Sequence, residues 1–328
     1  MLLRFDRLLP VSPGKSDCRK GKERMKVQTW VEDLAQIISP ENMKVNESLK
    51  KYTMTKLGGV ADVFITPSNE EEAIAVIRYA AEKNIPILML GNGSNMVVRD
   101  GGVRGIVIHF NKLDKIEVKG TTVYAEAGAL IIDVSKSAAE HCLTGFEFAC
   151  GIPGSVGGAM AMNAGAYGGE IKDVIASCKV VTRDGEVLTL SKDELELAYR
   201  KSIISEKHYF VLHSTFELQV GVQEEIDAKI TDLTFQRESK QPLEYPSAGS
   251  VFKRPPGYFA GKLIQDCGLQ GKGVGGAEVS TKHAGFIINK NNATATDYIQ
   301  TIEMVQRTVK ETYGVELETE VKIVGEDK

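Results

Sequence analysis

One glycine-rich, almost uncharged stretch constrains the fold of this chain more than any other part of its sequence. Residues 151–170 read GIPGSVGGAMAMNAGAYGGE, in which seven of twenty residues are glycine. Glycine loses much conformational entropy on folding, so such a run indicates turns with positive φ or a backbone that approaches another group closely. A flexible linker would be rich in polar residues, whereas this run carries Ile152, Val156, Met160 and Met162. The pattern favours a buried backbone that lies against a ligand.

Length and charge limit the class of protein. At 328 residues the chain exceeds the size at which one hydrophobic core stops growing, so two or three domains are expected. A hydrophobic content of 42% and a charged content of 26% are typical of globular proteins. The net charge of −4 argues against a nucleic-acid-binding or membrane-surface protein.

The cysteines and the N-terminal residues bear on localisation. The five cysteines include no Cys-x-x-Cys pair and no His/Cys cluster, so we expect neither disulfides nor a metal site. The first 24 residues carry seven Lys or Arg and make a poor secretory signal. Regular patterning starts at Met25, and residues 1–24 are predicted to be disordered or an upstream-start extension. The sequence thus predicts a cytoplasmic protein with no membrane insertion.

A second glycine-rich stretch follows a helix and a strand. Residues 68–84 have the periodicity of a helix, with a predicted capping box of Ser68 and Glu71. The apolar run 85–91 predicts a buried strand, and GNGSN at 91–95 then leads towards a strand over 103–110. Small residues after a strand suit the binding of a phosphate by backbone N–H groups. Because no G-x-G-x-x-G opens a helix, a standard dinucleotide-binding fold is disfavoured.

The rest of the chain alternates short strands with helices, and periodicity and turn residues predict where they lie. Strands are predicted on both sides of Lys119–Gly120, at a hairpin turning at Asp184–Gly185, and over 208–218 and 315–325; helices are predicted over 130–143, 224–240 and 296–313. Residues 250–290 carry six Lys or Arg against two Asp or Glu. This local excess indicates either an anionic small ligand or a solvated basic face.

Several motifs, in order, identify a family. They are TMTKLGGVAD, LGNGSN, the run at 151–170, AYRKS, SAGSVFKRP, GKLIQD, STKHAGF and LETEVKIVG. In this order they resemble the UDP-N-acetylenolpyruvoylglucosamine reductase (MurB) family, from about Asn46 to Gly325. The compact C-terminal part, which lacks an inserted loop bearing a tyrosine, resembles the shorter (type II) branch.

The resemblance implies an α+β fold of the vanillyl-alcohol-oxidase (PCMH) type. Two α+β subdomains, predicted at 25–115 and 116–225, would bind FAD, and a C-terminal α+β domain at 226–328 would bind the substrate. Neither glycine-rich segment contains a histidine, so FAD is expected to bind without a covalent link. The predicted FAD contacts are Thr55, Gly91, Asn92, Gly93, Ser94, Asn95, Gly151, Ile152, Pro153, Gly154, Ser155, Gly157, Gly158 and Ala164.

The family resemblance also implies a reaction. NADPH would reduce FAD, and the flavin would then reduce UDP-N-acetylglucosamine enolpyruvate to UDP-N-acetylmuramate for peptidoglycan synthesis. Ser250 would donate a proton, and Arg200 would hold the substrate carboxylate in its planar fork. Glu320 would be the third catalytic residue. From the residues alone, strand alternation would place it on a solvent-exposed face with Glu318, so only the resemblance selects it.

The predicted substrate contacts rest on the resemblance and on the basic C-terminal segment. They are Tyr167, Lys253, Arg254, Lys262, Gln265 and Lys282. Other members of the family have asparagine where this chain has Arg254, which leaves the contacts to the diphosphate open. No obligatory protein partner and no nucleic acid are expected.

Two other functions remain open at this point. The first is an FAD oxidoreductase of the same fold that acts on a hydroxy acid or an alcohol. The second is a sugar-nucleotide-binding module without turnover. The serine in AGSVF and the basic C-terminal part argue against the first, and the presence of Arg200, Ser250 and Glu320 together argues against the second.

Overall fold

The computed structural model describes residues 27–328, and the prediction made for residues 1–24 lies outside them. The first unit contains a sheet in the order β1-β2-β5-β3, in which β1 and β2 are antiparallel and the other pairs are parallel. Its elements are α1 (27–34), β1 (Met43–Ser48), β2 (Val60–Ile65), α2 (Glu70–Glu82), β3 (Ile87–Leu90), β4 (Met96–Val98) and β5 (Val103–His109), with 3-10 turns at Pro40–Asn42 and Leu49–Tyr52.

Helix α2 forms where its periodicity predicts, but its cap differs from the prediction. Asn69 is the N-cap residue, and its side chain accepts a hydrogen bond from the Glu72 N–H at 2.8 Å. The Ser68 hydroxyl instead accepts a hydrogen bond from the side chain of Asn42 at 2.7 Å. The predicted pairing of Ser68 with Glu71 is therefore wrong by one residue, because asparagine caps a helix as well as serine does.

The second unit contains an antiparallel sheet in the order β12-β11-β13-β7-β6, with the predicted hairpin between β11 and β12. Its elements are β6 (Ile116–Lys119), β7 (Thr122–Glu126), α3 (Ile131–Glu140), β8 (Leu143–Thr144), a 3-10 turn (Glu147–Ala149), α4 (Val156–Met162), β9 (Gly165–Ala166), β10 (Gly169–Glu170), α5 (Ile171–Val174), β11 (Ile175–Val181), β12 (Val187–Ser191), α6 (Ile203–Lys207), β13 (Phe210–Glu217), β14 (Gln219–Val220) and α7 (Gln223–Lys240).

The C-terminal unit contains an antiparallel sheet in the order β15-β18-β17-β16, packed against α9. Its elements are β15 (Ser247–Ser250), α8 (Ala260–Asp266), β16 (Gly273–Val274), β17 (Ala277–Val279), β18 (Phe286–Asn289), α9 (Ala295–Tyr313) and β19 (Lys322–Val324). Tyr298 on α9 is fully buried, and its hydroxyl donates to the Ile287 carbonyl at 2.8 Å.

No helix in the described part of the chain is long and apolar enough to cross a membrane.

The C-terminal unit is tied to the first unit by backbone and capping contacts. Strand β19 pairs in parallel with β4. The Asp100 carboxylate accepts hydrogen bonds from the first turn of α9, at 3.1 Å from the Ala295 N–H and 2.9 Å from the Thr296 N–H. The buried side chain of Asn289 donates to the Thr55 carbonyl at 3.0 Å. Strand β19, although it follows α9 in the chain, thus pairs with a strand of the first unit.

The predicted C-terminal strand over 315–325 is a strand only at β19, so the alternation expected for its glutamates is wrong. The Glu320 N–H donates to the Val251 carbonyl at 2.8 Å, and Thr319 forms an isolated bridge with Phe252. These contacts turn Glu320 inward. Its side chain is 14% exposed, whereas that of Glu318 is 72% exposed.

The predicted domain limits can be compared with the sheets. The strands of the first two sheets lie within 25–115 and 116–225. Helix α7, predicted to open the substrate domain, packs on the second unit, where Lys229 forms an ion pair with the buried Glu147 at 3.1 Å. The domain limits therefore remain predictions. The boundary between the second and third domains depends on whether α7 is assigned to the second unit, on which it packs, or to the substrate domain.

Candidate active site

A cavity of about 920 Å³ lies where the three units meet. Both glycine-rich segments contribute to its wall, together with β3, β15 and β19. Apolar surface dominates the wall, and a small number of polar side chains reach into it. Such a cavity is the usual form of a site for a cofactor or a small molecule.

The glycines at 91–95 allow two loops to pack on each other. Gly93 has φ +59°, and a Cβ there would lie 2.1 Å from the Tyr52 carbonyl oxygen. A Cβ on Gly91 would lie 2.5 Å from the Ser155 Oγ, and the Asn92 side chain donates to the Pro153 carbonyl at 2.6 Å. The two glycine-rich segments therefore form one joined wall of the cavity.

Other glycines have no protein neighbour that requires them. A Cβ on Gly154 would meet no protein atom closer than 3.7 Å, and one on Gly158 none closer than 3.6 Å. Both residues line the cavity, so a side chain there would enter the cavity itself. A bare backbone facing a mainly apolar cavity of this volume fits a large cofactor such as FAD, whose diphosphate needs backbone N–H donors.

The structure brings most of the predicted cofactor residues to this cavity. Those that line it are Gly91, Asn92, Gly93, Ser94, Asn95, Ile152, Pro153, Gly154, Ser155, Gly157, Gly158 and Ala164. Thr55 and Gly151 are not among the lining residues. Thr55 is fully buried, and its hydroxyl has no hydrogen-bond partner within residues 27–328. Gly151 lies against the side chain of Arg237, because a Cβ there would be 2.6 Å from the Arg237 Cδ.

The three predicted catalytic residues all line the cavity, although they come from distant segments. The Arg200 Nε donates to the Glu320 Oε1 at 2.7 Å, and its Nη2 donates to the Gly165 carbonyl at 3.2 Å. Ser250 ends β15, and its side chain makes no hydrogen bond within the described residues 27–328. Its hydroxyl is therefore available to a ligand in the cavity.

Asn95 links the first glycine-rich segment to Glu320, whose carboxylate is predicted to be catalytic. Its Nδ2 donates to the Glu320 carbonyl at 3.2 Å, and its own carbonyl accepts a hydrogen bond from the Lys322 N–H at 3.0 Å. These contacts fix the backbone of Glu320 on both sides. The side chain of Asn95, predicted to contact FAD, is thus engaged within the protein.

The six predicted substrate contacts do not line the cavity. Lys253 forms an ion pair with Glu318, Lys262 forms one with Asp266, and the Lys282 Nζ donates to the Glu238 carbonyl at 2.8 Å.

The other three predicted substrate contacts lie at the surface. The Arg254 guanidinium lies 3.9 Å from the centre of the Phe259 ring. Gln265 is exposed, and Tyr167 is 42% exposed with φ 53°. All six residues stay predictions for a substrate that reaches beyond the cavity.

Several cavity residues had no counterpart among the predictions. They are Arg183, His208, Arg237, Tyr245 and Lys322. Arg237 had a readable signal. Ile226, Ile230 and Leu233 form an apolar stripe at helical spacing on α7, and Arg237 continues it. A single arginine on an apolar stripe indicates a cation that faces inward.

Comparison with protein families finds two matches. Residues 61–191 match the FAD binding domain family. Residues 241–324 match the C-terminal domain of UDP-N-acetylenolpyruvoylglucosamine reductase. The first match contains both glycine-rich segments, and the second contains Ser250 and Glu320.

Individual relatives extend these matches over nearly the whole chain. UDP-N-acetylenolpyruvoylglucosamine reductase 2 of Bacillus cereus is 58% identical over 304 residues, which cover 93% of this chain and 100% of the relative. The reductase of Geobacillus thermodenitrificans is 61% identical over 294 residues, 90% of this chain and 97% of the relative. The crystal structure of the Thermus caldophilus reductase (MurB) is 35% identical with a TM-score of 0.75, and the match covers 86% of this chain and 100% of that one.

Proposed function

Because the chain belongs to the UDP-N-acetylenolpyruvoylglucosamine reductase family, we propose that it reduces UDP-N-acetylglucosamine enolpyruvate to UDP-N-acetylmuramate. It is an FAD-dependent oxidoreductase of peptidoglycan precursor synthesis, and NADPH is the proposed source of electrons. The observation that carries the proposal is the convergence of Arg200, Ser250 and Glu320 on the cavity that both glycine-rich segments line. We further propose a cytoplasmic location, where both substrates would be available.

FAD would be held by the joined wall at Gly91–Asn95 and Ile152–Gly158. When bound, it supplies hydride transfer from NADPH to the substrate. The residues around it supply backbone donors for the diphosphate and an apolar wall for the ring system. We propose that no covalent bond is needed, because neither segment carries a histidine.

Ser250 would act as the proton donor. Reduction of an enolpyruvyl ether places a hydride on the CH₂ carbon and a proton on the carbon that bears the carboxylate. The Ser250 hydroxyl faces the cavity without a competing hydrogen bond to the described residues, so it can be directed at that second carbon. Serine is a weak acid, and the contribution here would come mainly from its position.

Arg200 and Glu320 would act on the substrate carboxylate. Negative charge spreads onto this carboxylate before the proton arrives, and the Arg200 guanidinium offers paired N–H donors for it. Glu320 holds Arg200 in place at 2.7 Å. We propose that Glu320 positions Arg200 in the resting enzyme. During the reaction, both Glu320 and Arg200 would contact the carboxylate of the substrate.

The test is an anaerobic absorbance experiment on the purified holoprotein. NADPH is added first, and UDP-N-acetylglucosamine enolpyruvate is added second. Loss of the flavin band with NADPH and its return with the sugar nucleotide support the proposal. Loss without return contradicts the proposed oxidant and revives an oxidase of hydroxy acids or alcohols, for which peroxide would then be assayed. Protein that binds the sugar nucleotide but takes up no FAD supports the binding module.

A further inference from the structure

The turn at residues 53–57 brings a lysine to the cavity beside the first glycine-rich segment. The Met54 N–H donates to the Gly93 carbonyl at 3.0 Å, and a Cβ on Gly93 would lie 2.7 Å from the Thr53 Cα. The turn and Gly93 are therefore in direct contact. Lys56 and Gly93 both line the cavity, so the lysine lies on the same part of the wall as this glycine.

Lys56 has a backbone conformation that lysine rarely adopts. Its φ is +57°, in the left-handed region that glycine and asparagine favour. A non-glycine residue in this region costs stability, and such strained residues cluster at functional sites. Because a glycine would avoid the cost, the presence of a lysine indicates a function for its side chain.

The Lys56 ammonium has no counter-ion within the described residues 27–328. The residue is exposed, and its side chain makes no hydrogen bond or ion pair to that part of the chain. The N–H groups of Asn92, Gly93 and Ser94 also donate no hydrogen bond to it, and all three residues line the cavity. Unused backbone N–H groups beside a cation are an arrangement that suits an anion.

The anions that fit this arrangement are diphosphates, and FAD, NADPH and the sugar nucleotide each contain one. The turn of Lys56 is bonded to Gly93, which lies in the FAD-binding match at 61–191. Ser250 and Glu320, which are proposed to act on the substrate, lie in the C-terminal match at 241–324. The position of Lys56 therefore favours the diphosphate of FAD over that of either substrate.

We propose that Lys56 pairs with the diphosphate of FAD and makes the site selective for FAD over a flavin without phosphate. This inference rests on the proposed function. Each phosphate of FAD carries a full negative charge, whereas backbone N–H groups offer only partial positive charges. The lysine supplies a full charge on a flexible stem, so it can pair with the diphosphate while the N–H groups of residues 92–94 orient it.

The experiment measures the dissociation constants of FAD and riboflavin for the full-length protein after its flavin has been removed. The variants are Lys56→Met, Lys56→Gly and Lys56→Arg. The control is Lys50→Met, which removes an exposed lysine that does not line the cavity. We expect the dissociation constant of FAD to rise about tenfold or more in the Met and Gly variants, and that of riboflavin to stay within about threefold.

The charge-retaining variant and the salt dependence test whether the effect is electrostatic. Lys56→Arg and the control Lys50→Met should bind FAD within about threefold of the wild type. The difference in FAD affinity between the wild type and Lys56→Met should shrink as the salt concentration rises, because salt screens an exposed ion pair. A difference that is independent of salt would contradict the inference.

Lys56→Gly gives a second readout, because glycine adopts a φ of +57° without strain. The midpoint of urea unfolding of the flavin-free variant should equal or exceed that of the wild type, while FAD binds more weakly. Lys56→Met keeps the left-handed backbone and should have a midpoint close to that of the wild type. A lysine that only stabilised the turn would instead lower the midpoint in both variants.

The remaining outcomes separate this inference from the proposed function. Unchanged FAD affinity in both neutral variants would overturn the inference, and weaker binding of NADPH or of the sugar nucleotide would then assign Lys56 to a substrate diphosphate. Equal losses of FAD and riboflavin affinity would show a distorted wall and would also overturn it. In each of these cases a wild type that binds FAD and completes both half-reactions leaves the proposed function standing. A wild type that binds no FAD would overturn both.

Discussion

The Arg200 guanidinium is proposed to bind two carboxylates, that of Glu320 and that of the substrate. This predicts that Glu320→Gln binds the sugar nucleotide more tightly. In the structure the Glu320 carboxylate already occupies the Arg200 Nε at 2.7 Å. A substrate carboxylate that binds Arg200 must compete with it or repel it. Glutamine has the same shape and keeps the backbone contacts of Glu320 to Val251 and Asn95, but it removes the competing charge.

The magnitude follows from the burial of the pair. The two side chains are 19% and 14% exposed, so the pair is largely shielded from water. A hydrogen bond to a charged group contributes about 1.5–3 kcal/mol net. If Glu320→Gln weakens the interaction with Arg200 by about 1.4 kcal/mol, the substrate carboxylate binds Arg200 with that much less competition. The dissociation constant for UDP-N-acetylglucosamine enolpyruvate then falls about tenfold. The turnover rate should fall, because Glu320 is proposed to act on the carboxylate during the reaction.

The assay is a titration of the oxidised holoenzyme with the sugar nucleotide, without NADPH, followed by the change in flavin absorbance. Glu318→Gln is the matched control, because this glutamate lies two residues earlier and is 72% exposed. It should leave both the affinity and the turnover rate unchanged. Weaker or unchanged binding by Glu320→Gln would refute the competition, and so would an equal effect of both variants.

Three further predictions concern the proton donor, the joint between units and the glycine loop. Ser250→Ala should slow flavin reoxidation by the sugar nucleotide about 10²–10⁴-fold and leave reduction by NADPH unchanged in stopped-flow absorbance, whereas Ser177→Ala on β11, which does not line the cavity, should alter neither. Asp100→Ala should destabilise the protein by about 1–2 kcal/mol in urea titrations, because it removes acceptors from the first turn of α9. Burial alone would raise the pKa of Asp100, but hydrogen bonds from α9 lower it. The stability that Asp100 contributes is therefore complete above about pH 5 and is lost as pH falls below about 4. An equal loss of stability in Asp100→Ala at pH 3 and at pH 7 would contradict this. Gly93→Ala should abolish FAD binding, because its Cβ would overlap a backbone oxygen at 2.1 Å, whereas Gly120→Ala, at φ +63° with open space around it, should cost only about 1 kcal/mol.

Much of the fold could be predicted from local pattern. Helices α2, α3, α7 and α9, strands β3 and β5 of the first sheet and the strands of the second sheet lie where periodicity and turn residues indicate, whereas β1 and β2 were not predicted. The order of the motifs identified the family, which the comparisons confirm. These signals are local or short-range, so a single sequence contains them.

The positions that sequence reasoning missed depend on contacts between distant segments. Glu320 reads as one of a row of exposed glutamates, and only its bonds to Val251 and Asn95 turn it inward. The Ser68 hydroxyl looks like a helix cap until Asn42, which comes from another part of the chain, takes it as a partner. The contact of Gly151 with Arg237 joins two distant segments and was not predicted, and the predicted contact of Gly151 with FAD stays a prediction.

The way the three units are joined has a consequence for heat inactivation. The C-terminal unit is held to the first unit by the β4–β19 pairing and by the capping of α9, whereas its contacts with the second unit across the cavity include single side-chain bonds such as Arg200–Glu320 and Lys282 to the Glu238 carbonyl. Regions held by a few side-chain contacts open at lower free energy than packed sheets. On warming, the second and third units should therefore separate along the cavity before any sheet melts. Activity would then be lost at a lower temperature than circular dichroism reports for unfolding, and a ligand that bridges the two units would narrow that difference.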